Sequence, residues 1–291
     1  MNCLKYVFKY QKCYILTRRF AVQAKDFIQN VKVHVYNDNE GLSVLSLNRS
    51  ERKNALSISL LGEINTAIDD LSNSNTRVVI IKSNVSGTFC AGADLKERAT
   101  LSNKQLSLYN LEIRATMNRI QDLPIPVIAA MDGHALGGGL ELALVCDIRV
   151  AVASAKYGLV ETSHGIIPGA GGTVRLPRLI NPAIAKELIF TAKVIDGTEA
   201  KDLGLVNHVV DQNDAGNAAF LKCVEIAKAI LSNGPVAIRM AKFAINKGIE
   251  VDVNAALAFE ELCYAQTIPT KDRIEGLKAF AEKRSPKYIG E

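Results

Sequence analysis

Gly133-His134-Ala135-Leu136-Gly137-Gly138-Gly139-Leu140-Glu141-Leu142-Ala143 is the stretch where the chain turns from strand to helix. Before it, Pro124 and Pro126 end a helical pattern over Glu112–Leu123, and Val127–Met131 reads as a buried strand. After it, Leu140–Val145 reads as helix. Three consecutive glycines let the backbone approach a ligand closely and take unusual angles. The helix start adds unpaired N–H groups and a positive dipole end. Together these suit an anion or a developing oxyanion. A phosphate loop would need a following Lys-Ser or Lys-Thr, which is absent, as is a GxGxxG pattern. Glu141 falls two residues past the last glycine. Taken alone, it reads as an ordinary acid at the positive end of a helix.

Two further glycine-rich segments flank this one. Gly87-Thr88-Phe89-Cys90-Ala91-Gly92-Ala93-Asp94-Leu95 offers a bend with small residues around an Ala-Asp pair. Gly165-Ile166-Ile167-Pro168-Gly169-Ala170-Gly171-Gly172-Thr173 follows Glu161, which is expected at the end of a short strand. Beside apolar Leu159 and Val160, a carboxyl at position 161 could be partly buried, with its pKa raised. It could equally be a surface acid.

Outward from these segments the pattern alternates. Val31–Tyr36 and Leu42–Leu47, joined by Asn39-Glu40-Gly41, predict a hairpin. Ile58–Leu71 is helical, Val78–Ile81 a buried strand and Ile148–Ala153 another strand. From Ala183 to Phe280 the pattern is mostly helical. A βαβ-rich core with a helical C-terminal part is the expected architecture. The change falls within 205–235 and is placed at a 26–225 core and a 226–291 helical region.

At 291 residues and 48% apolar composition, one large domain can be buried. No apolar run reaches the length of a membrane-spanning helix. Six positive charges, Lys5, Lys9, Lys12, Arg18, Arg19 and Lys25, lie in residues 1–25 with no acid among them. With a whole-chain charge of +5, the remainder carries −1. A nearly neutral body argues against electrostatic nucleic-acid binding. The basic, acid-free segment 1–25 has the composition of a mitochondrial transit peptide. The six cysteines form no CxxC or Cys/His metal pattern, and no metal site is expected. Cys90, Cys146, Cys223 and Cys263 read as small buried residues.

The three segments in this order resemble the crotonase (enoyl-CoA hydratase/isomerase) superfamily. The resemblance runs from about Val31 to the C-terminus. It rests on Ala91-Gly-Ala-Asp-Leu95, Leu136-Gly-Gly-Gly-Leu-Glu-Leu-Ala143, Cys146-Asp-Ile-Arg149 and Ile167-Pro-Gly-Ala-Gly-Gly-Thr173. It implies an α/β fold, a ClpP-like spiral of ββα units with a helical C-terminal trimerisation region. It implies that Glu141 and Glu161 form a catalytic pair holding one water, and that the Ala93 and Gly138 N–H groups form an oxyanion hole. Gly169 matches a backbone position touching that water. Lys53, Ala55 and Leu56 match positions lining coenzyme A, as do Ala91, Asp94 and Leu95. Phe280 and Lys283 match positions that reach a neighbouring subunit's coenzyme A. The resemblance further implies an acyl-CoA substrate, no cofactor beyond the coenzyme A that is part of it, and a homotrimer or dimer of trimers. Two glutamates imply hydration, since simple isomerases of the family usually keep one acid.

Asp94-Leu-Lys-Glu-Arg98 and Cys263-Tyr-Ala-Gln-Thr-Ile-Pro-Thr-Lys-Asp-Arg-Ile-Glu-Gly-Leu277 narrow this to a branch that hydrates 3-methylglutaconyl-CoA to 3-hydroxy-3-methylglutaryl-CoA in mitochondrial leucine breakdown. A general short-chain enoyl-CoA hydratase is the alternative. The branch also binds AU-rich RNA through a lysine-rich helix. Here residues 57–77 carry Arg77 against Glu63, Asp69 and Asp70, which leaves no basic helix. Thr162-Ser163-His164 also departs from the branch, and His164 reads as a solvent or interface residue.

Overall fold

The computed structural model describes residues 33–38 and 40–291. The segment 1–25, Val31 and Lys32 lie outside the described residues. Among the described residues, ten strands form two sheets. The larger has the order β1-β2-β3-β5-β7-β10 and the smaller β4-β6-β8-β9.

β1 (Val33–Asn37) and β2 (Leu42–Leu47) form the expected antiparallel hairpin, with Val33 opposite Leu47. Asp38 closes its turn by accepting the Glu40 and Leu42 N–H groups. Then α1 (Ile58–Ser72) buries Leu60, Leu61, Ile64, Ile68 and Leu71, the stripe that the three-and-four spacing predicts. After it, each turn of chain lays one strand in each sheet. β3 (Val78–Ser83) joins the large sheet and β4 (Thr88–Cys90) the small one. α2 (Leu95–Arg98) and α3 (Asn103–Gln121) follow. β5 (Val127–Met131), β6 (His134–Leu136) and α4 (Gly138–Leu144) repeat the unit. β7 (Ile148–Val152) and β8 (Lys156–Gly158) repeat it again, leading to α5 (Gly172–Leu179) and α6 (Pro182–Phe190). β9 (Ile195–Asp196), α7 (Gly197–Asp202) and β10 (His208–Val210) complete the sheets. This is the expected spiral of ββα units.

Close backbone approach at Gly133 lets two strands of the small sheet pair. A Cβ there would lie 2.2 Å from the Gly87 carbonyl carbon, so β4 and β6 can pair only over a glycine. The parallel strands of the large sheet are buried, as a sheet covered on both faces requires.

Several expectations need correction. Glu161 does not end a strand: β8 stops at Gly158, and Glu161 opens a 3-10 turn, Glu161–His164. The helix expected at Glu112–Leu123 starts at Asn103, where Ser102 and Gln105 form a reciprocal capping box. The stretch after Ala183 is interrupted by β9 and β10. The 225/226 division falls inside α8 (Ala218–Leu231), which packs on β3, β5 and β7 and so belongs to the core.

Beyond α8, α9 (Pro235–Gly248) packs on α10 (Val253–Thr267), with Phe243 and Phe259 edge to face at 6.4 Å. α11 (Lys271–Ala281) ends the helical region. Lys242 ties it to the core through Asp147 at 2.8 Å and the Ile125 carbonyl at 2.9 Å. Many large apolar residues of these helices are exposed, among them Leu257, Leu262 and Leu277. The four cysteines at 90, 146, 223 and 263 are free and buried, as expected. No helix among the described residues is long and apolar enough to cross a membrane.

Candidate active site

Gly137 ends β6 at φ +51, in the left-handed region that disfavours side chains, and starts α4. All seven residues of α4 are buried, including Glu141 in its first turn. Glu141 is only 2% exposed, so its charge must be held by protein groups. Its Oε1 accepts the N–H groups of Ala170 at 2.8 Å and Gly172 at 2.7 Å. Burial pushes its carboxyl up to about 7; the nearby Glu161 adds to the rise, while the two N–H donors oppose it.

Glu161 is half-buried. Burial also raises its pKa, against the pull of its own N–H and of Arg98. Its Oε2 is buried without a hydrogen-bond partner among the described residues. Such an oxygen costs free energy unless a ligand or water satisfies it.

The glycine segments are crossed. A Cβ on Gly172, in the third segment, would lie 3.0 Å from Glu141 Oε1. A Cβ on Gly137, in the second, would lie 3.2 Å from Glu161 Oε1. Each carboxylate therefore sits against the glycine segment that carries or leads to the other. The coulombic influence of Glu161 on Glu141 agrees with that proximity.

The first segment closes the site. Leu56 N–H donates to the Gly92 carbonyl at 2.7 Å, and Asp94 N–H to the Leu56 carbonyl at 3.1 Å. This parallel bridge passes over Ala93, so the Ala93 N–H points away from Leu56. The Gly138 N–H is first in its helix and has no intrahelical acceptor. A Cβ on Gly138 would lie 3.5 Å from the Ala93 nitrogen, which brings the two donors to one small space. Two carboxyls with raised pKa values beside two free N–H groups can move protons while an oxyanion forms.

Around this centre, Lys53 is exposed at φ 51, and its carbonyl accepts the Ala91 N–H at 3.0 Å. Ala55 and Leu56 are buried, while Ala91 and Leu95 are exposed. Asp94 is buried. Its carboxylate caps α2 by accepting the Glu97 N–H and pairs with Arg49 at 2.7 Å, so the side chain is committed to the fold. The Gly169 carbonyl accepts from Arg114 at 3.2 and 3.1 Å, next to the Ala170 donor. Phe280 is 86% exposed and Lys283 follows it in the open, so neither packs into the cleft of its own chain. His164 is exposed beside Ser163. No group of His, Cys, Asp and Glu among the described residues could hold a metal.

Sequence reasoning missed four participants. The Ala170 and Gly172 N–H groups carry no residue-type signal. Tyr109, whose hydroxyl donates to the Leu56 carbonyl at 2.7 Å, reads only as a core residue. Arg98 sits with its guanidinium 5.8 Å from the Tyr109 ring centroid, and its charge pulls on the Glu161 carboxyl.

Comparisons with known proteins converge. Residues 37–291 match the family model described as Enoyl-CoA hydratase/isomerase. Over 259 residues the chain is 58% identical to human "Methylglutaconyl-CoA hydratase, mitochondrial", covering 89% of this chain and 76% of that protein. It is 50% identical over 252 residues to human "Enoyl-CoA hydratase domain-containing protein 2, mitochondrial", covering 86% of each. A crystal structure of an enoyl-CoA hydratase from Bacillus anthracis superposes with a TM-score of 0.86 at 48% identity, covering 90% of this chain and all of that one. The paired glutamates on crossed glycine segments thus lie in a chain that belongs to the enoyl-CoA hydratase/isomerase family.

Proposed function

We propose that this protein is a hydro-lyase that adds water across the C2=C3 bond of an enoyl-CoA, with 3-methylglutaconyl-CoA as its substrate and 3-hydroxy-3-methylglutaryl-CoA as its product. The observation that carries the chemistry is the carboxyl pair of buried Glu141 and half-buried Glu161, beside the converging Ala93 and Gly138 N–H groups. The 58% identity to the human methylglutaconyl-CoA hydratase supports the acyl group.

The thioester oxygen takes hydrogen bonds from Ala93 and Gly138 as it gains enolate charge, each worth about 3 kcal/mol in the transition state. One water lies between the carboxyls. Glu141, held as carboxylate by Ala170 and Gly172, accepts a proton as the water oxygen bonds to C3. Glu161, whose Oε2 lacks a donor, delivers its proton to C2. Net, one water is consumed, and the proton left on Glu141 passes to Glu161 through the next water bound between them, which restores both for the following turnover. Addition of water needs no electron acceptor, so coenzyme A enters only as part of the substrate.

Lys53, Ala55, Leu56, Ala91 and Leu95 line the coenzyme A, with Asp94 contributing through its backbone. The exposed apolar side chains of α9–α11 support self-association as a trimer or dimer of trimers, with Phe280 and Lys283 reaching a neighbour's coenzyme A. The relatives named mitochondrial point to that organelle, and the basic segment 1–25 supports import to the matrix.

Two measurements check this reading. The first compares kcat/KM for 3-methylglutaconyl-CoA and crotonyl-CoA. The former is expected to be preferred; a strong preference for crotonyl-CoA returns the chain to the general short-chain hydratases. The second is titration with an AU-rich RNA. α1 carries Glu63, Asp69 and Asp70 without a lysine, and Asp69 pairs with Arg119. Phosphate contacts are therefore few, and binding at physiological salt is expected to be no tighter than about 10⁻⁴ M. Tight binding would contradict the reading of this face.

A further inference from the structure

The proposed substrate carries a carboxylate at C5, two bonds beyond the carbon that water attacks. A buried carboxylate needs a cation or donors to replace its water. Three arginines approach the cleft. Arg114 donates from Nε and Nη2 to the Gly169 carbonyl. Arg175 is taken by Gln121, Asn118 and the Ala170 carbonyl. Arg98 alone of the three makes no ion pair and no side-chain hydrogen bond among the described residues.

We propose that Arg98 is the specificity-determining residue that binds the substrate's distal carboxylate. It ends α2, the helix that begins just after the Ala93 oxyanion donor and is held to Asp94 by the Arg98 N–H at 2.9 Å. Its guanidinium lies 5.8 Å from the Tyr109 ring centroid, within cation–π range, and the Tyr109 hydroxyl is anchored on the Leu56 carbonyl. The ring is 2% exposed, so the cation rests on a rigid platform. A stacked guanidinium keeps its edge N–H groups free for a bidentate pair with a carboxylate. The chain thus places an uncommitted cation on the helix that follows the Ala93 donor, close enough for its charge to act on Glu161.

Arg98 also draws the Glu161 carboxyl downward. A bound distal carboxylate neutralises that pull. Glu161 is then easier to keep protonated, the form needed to deliver a proton to C2, when the dicarboxylic substrate is in place.

This inference rests on the 3-methylglutaconyl-CoA reading. The test compares 3-methylglutaconyl-CoA with 3-methylcrotonyl-CoA, which keeps the branch and lacks the carboxylate. The quantity read is the ratio of their kcat/KM values in wild type, Arg98→Met and Arg98→Lys. A misfolded fraction scales both substrates equally and leaves the ratio alone. The ratio is expected to fall about 100-fold in Arg98→Met, and less in Arg98→Lys, which keeps the charge but not the bidentate fork. A wild type without preference for the dicarboxylic thioester overturns the substrate reading and this inference with it. A wild-type preference that survives Arg98→Met overturns the assignment of Arg98 alone.

Discussion

Glu141→Gln and Glu161→Gln are each expected to lower kcat by about 10³-fold or more, the loss of one positioned acid or base acting on a single water. The two losses should not multiply in the double variant, because both carboxyls serve one proton path. Stability should move the other way for Glu141. Its folded pKa, pushed up to about 7 by burial, lies above the unfolded carboxyl's 4.5. Between these values the folded state holds a proton that the unfolded state has released, so stability falls as pH rises through that window. Above pH 7 the full penalty of a buried charge remains. Below pH 4.5 both states are protonated and it vanishes. Glutamine keeps an oxygen for the Ala170 and Gly172 N–H groups and carries no charge. Glu141→Gln should therefore be more stable than wild type by roughly 1–3 kcal/mol at pH 8, with no difference near pH 4. Urea unfolding at the two pH values checks this. A destabilised variant at pH 8 would mean that the glutamate charge is not strained.

Gly139→Ala is expected to be strongly destabilising. The added Cβ would meet the Cys90 carbonyl oxygen at 2.1 Å and its carbon at 2.7 Å. Both are backbone of β4, which is paired with β6 and buried, so no side chain can rotate to relieve the overlap. Either α4 lifts from β4 or β4 leaves its sheet. Each movement also separates the Gly138 donor from Ala93. A loss of about 3 kcal/mol or more is expected, with activity falling beyond the fraction that unfolds. Gly87→Ala is the contrast. Open space surrounds it, so only the positive φ of 68° opposes the methyl. Thermal melts of the two variants separate steric overlap from backbone strain.

Much of this was legible in sequence, and what was not has physical causes. The large sheet announced itself because buried parallel strands such as Val78–Ile81 and Val127–Met131 are continuous apolar runs. The small sheet did not. Its strands β4, β6 and β8 have three residues each, too few for a period, and β4 and β6 lie inside glycine-rich segments. Those segments were read as bends and helix starts, whereas they are also the pairing edges of a sheet. In sequence the helix that starts at Asn103 shows its period only from Glu112, because Leu108 and Leu111 are apolar but exposed, which blurs the stripe. Glu141 and Glu161 were ambiguous alone and became a pair only through resemblance. The crossing of their glycine segments could not be read from spacing. Backbone donors such as Ala170 and Gly172 are set by fold, not by residue type. Asp94 shows the reverse case. The motif placed it in the coenzyme A site, and packing spent its carboxylate on Arg49 and the cap of α2.

The central claim is that both glutamates act on one water, which makes this chain a hydratase and not a double-bond isomerase. The most direct measurement is the isotope content of product formed from 3-methylglutaconyl-CoA in water enriched in oxygen-18 and deuterium. The expected product carries one oxygen-18 at C3 and one deuterium at C2, with neither formed at the wild-type rate in Glu141→Gln or Glu161→Gln. A product whose double bond has moved to C3–C4, with deuterium at C2 and no oxygen-18, would contradict it.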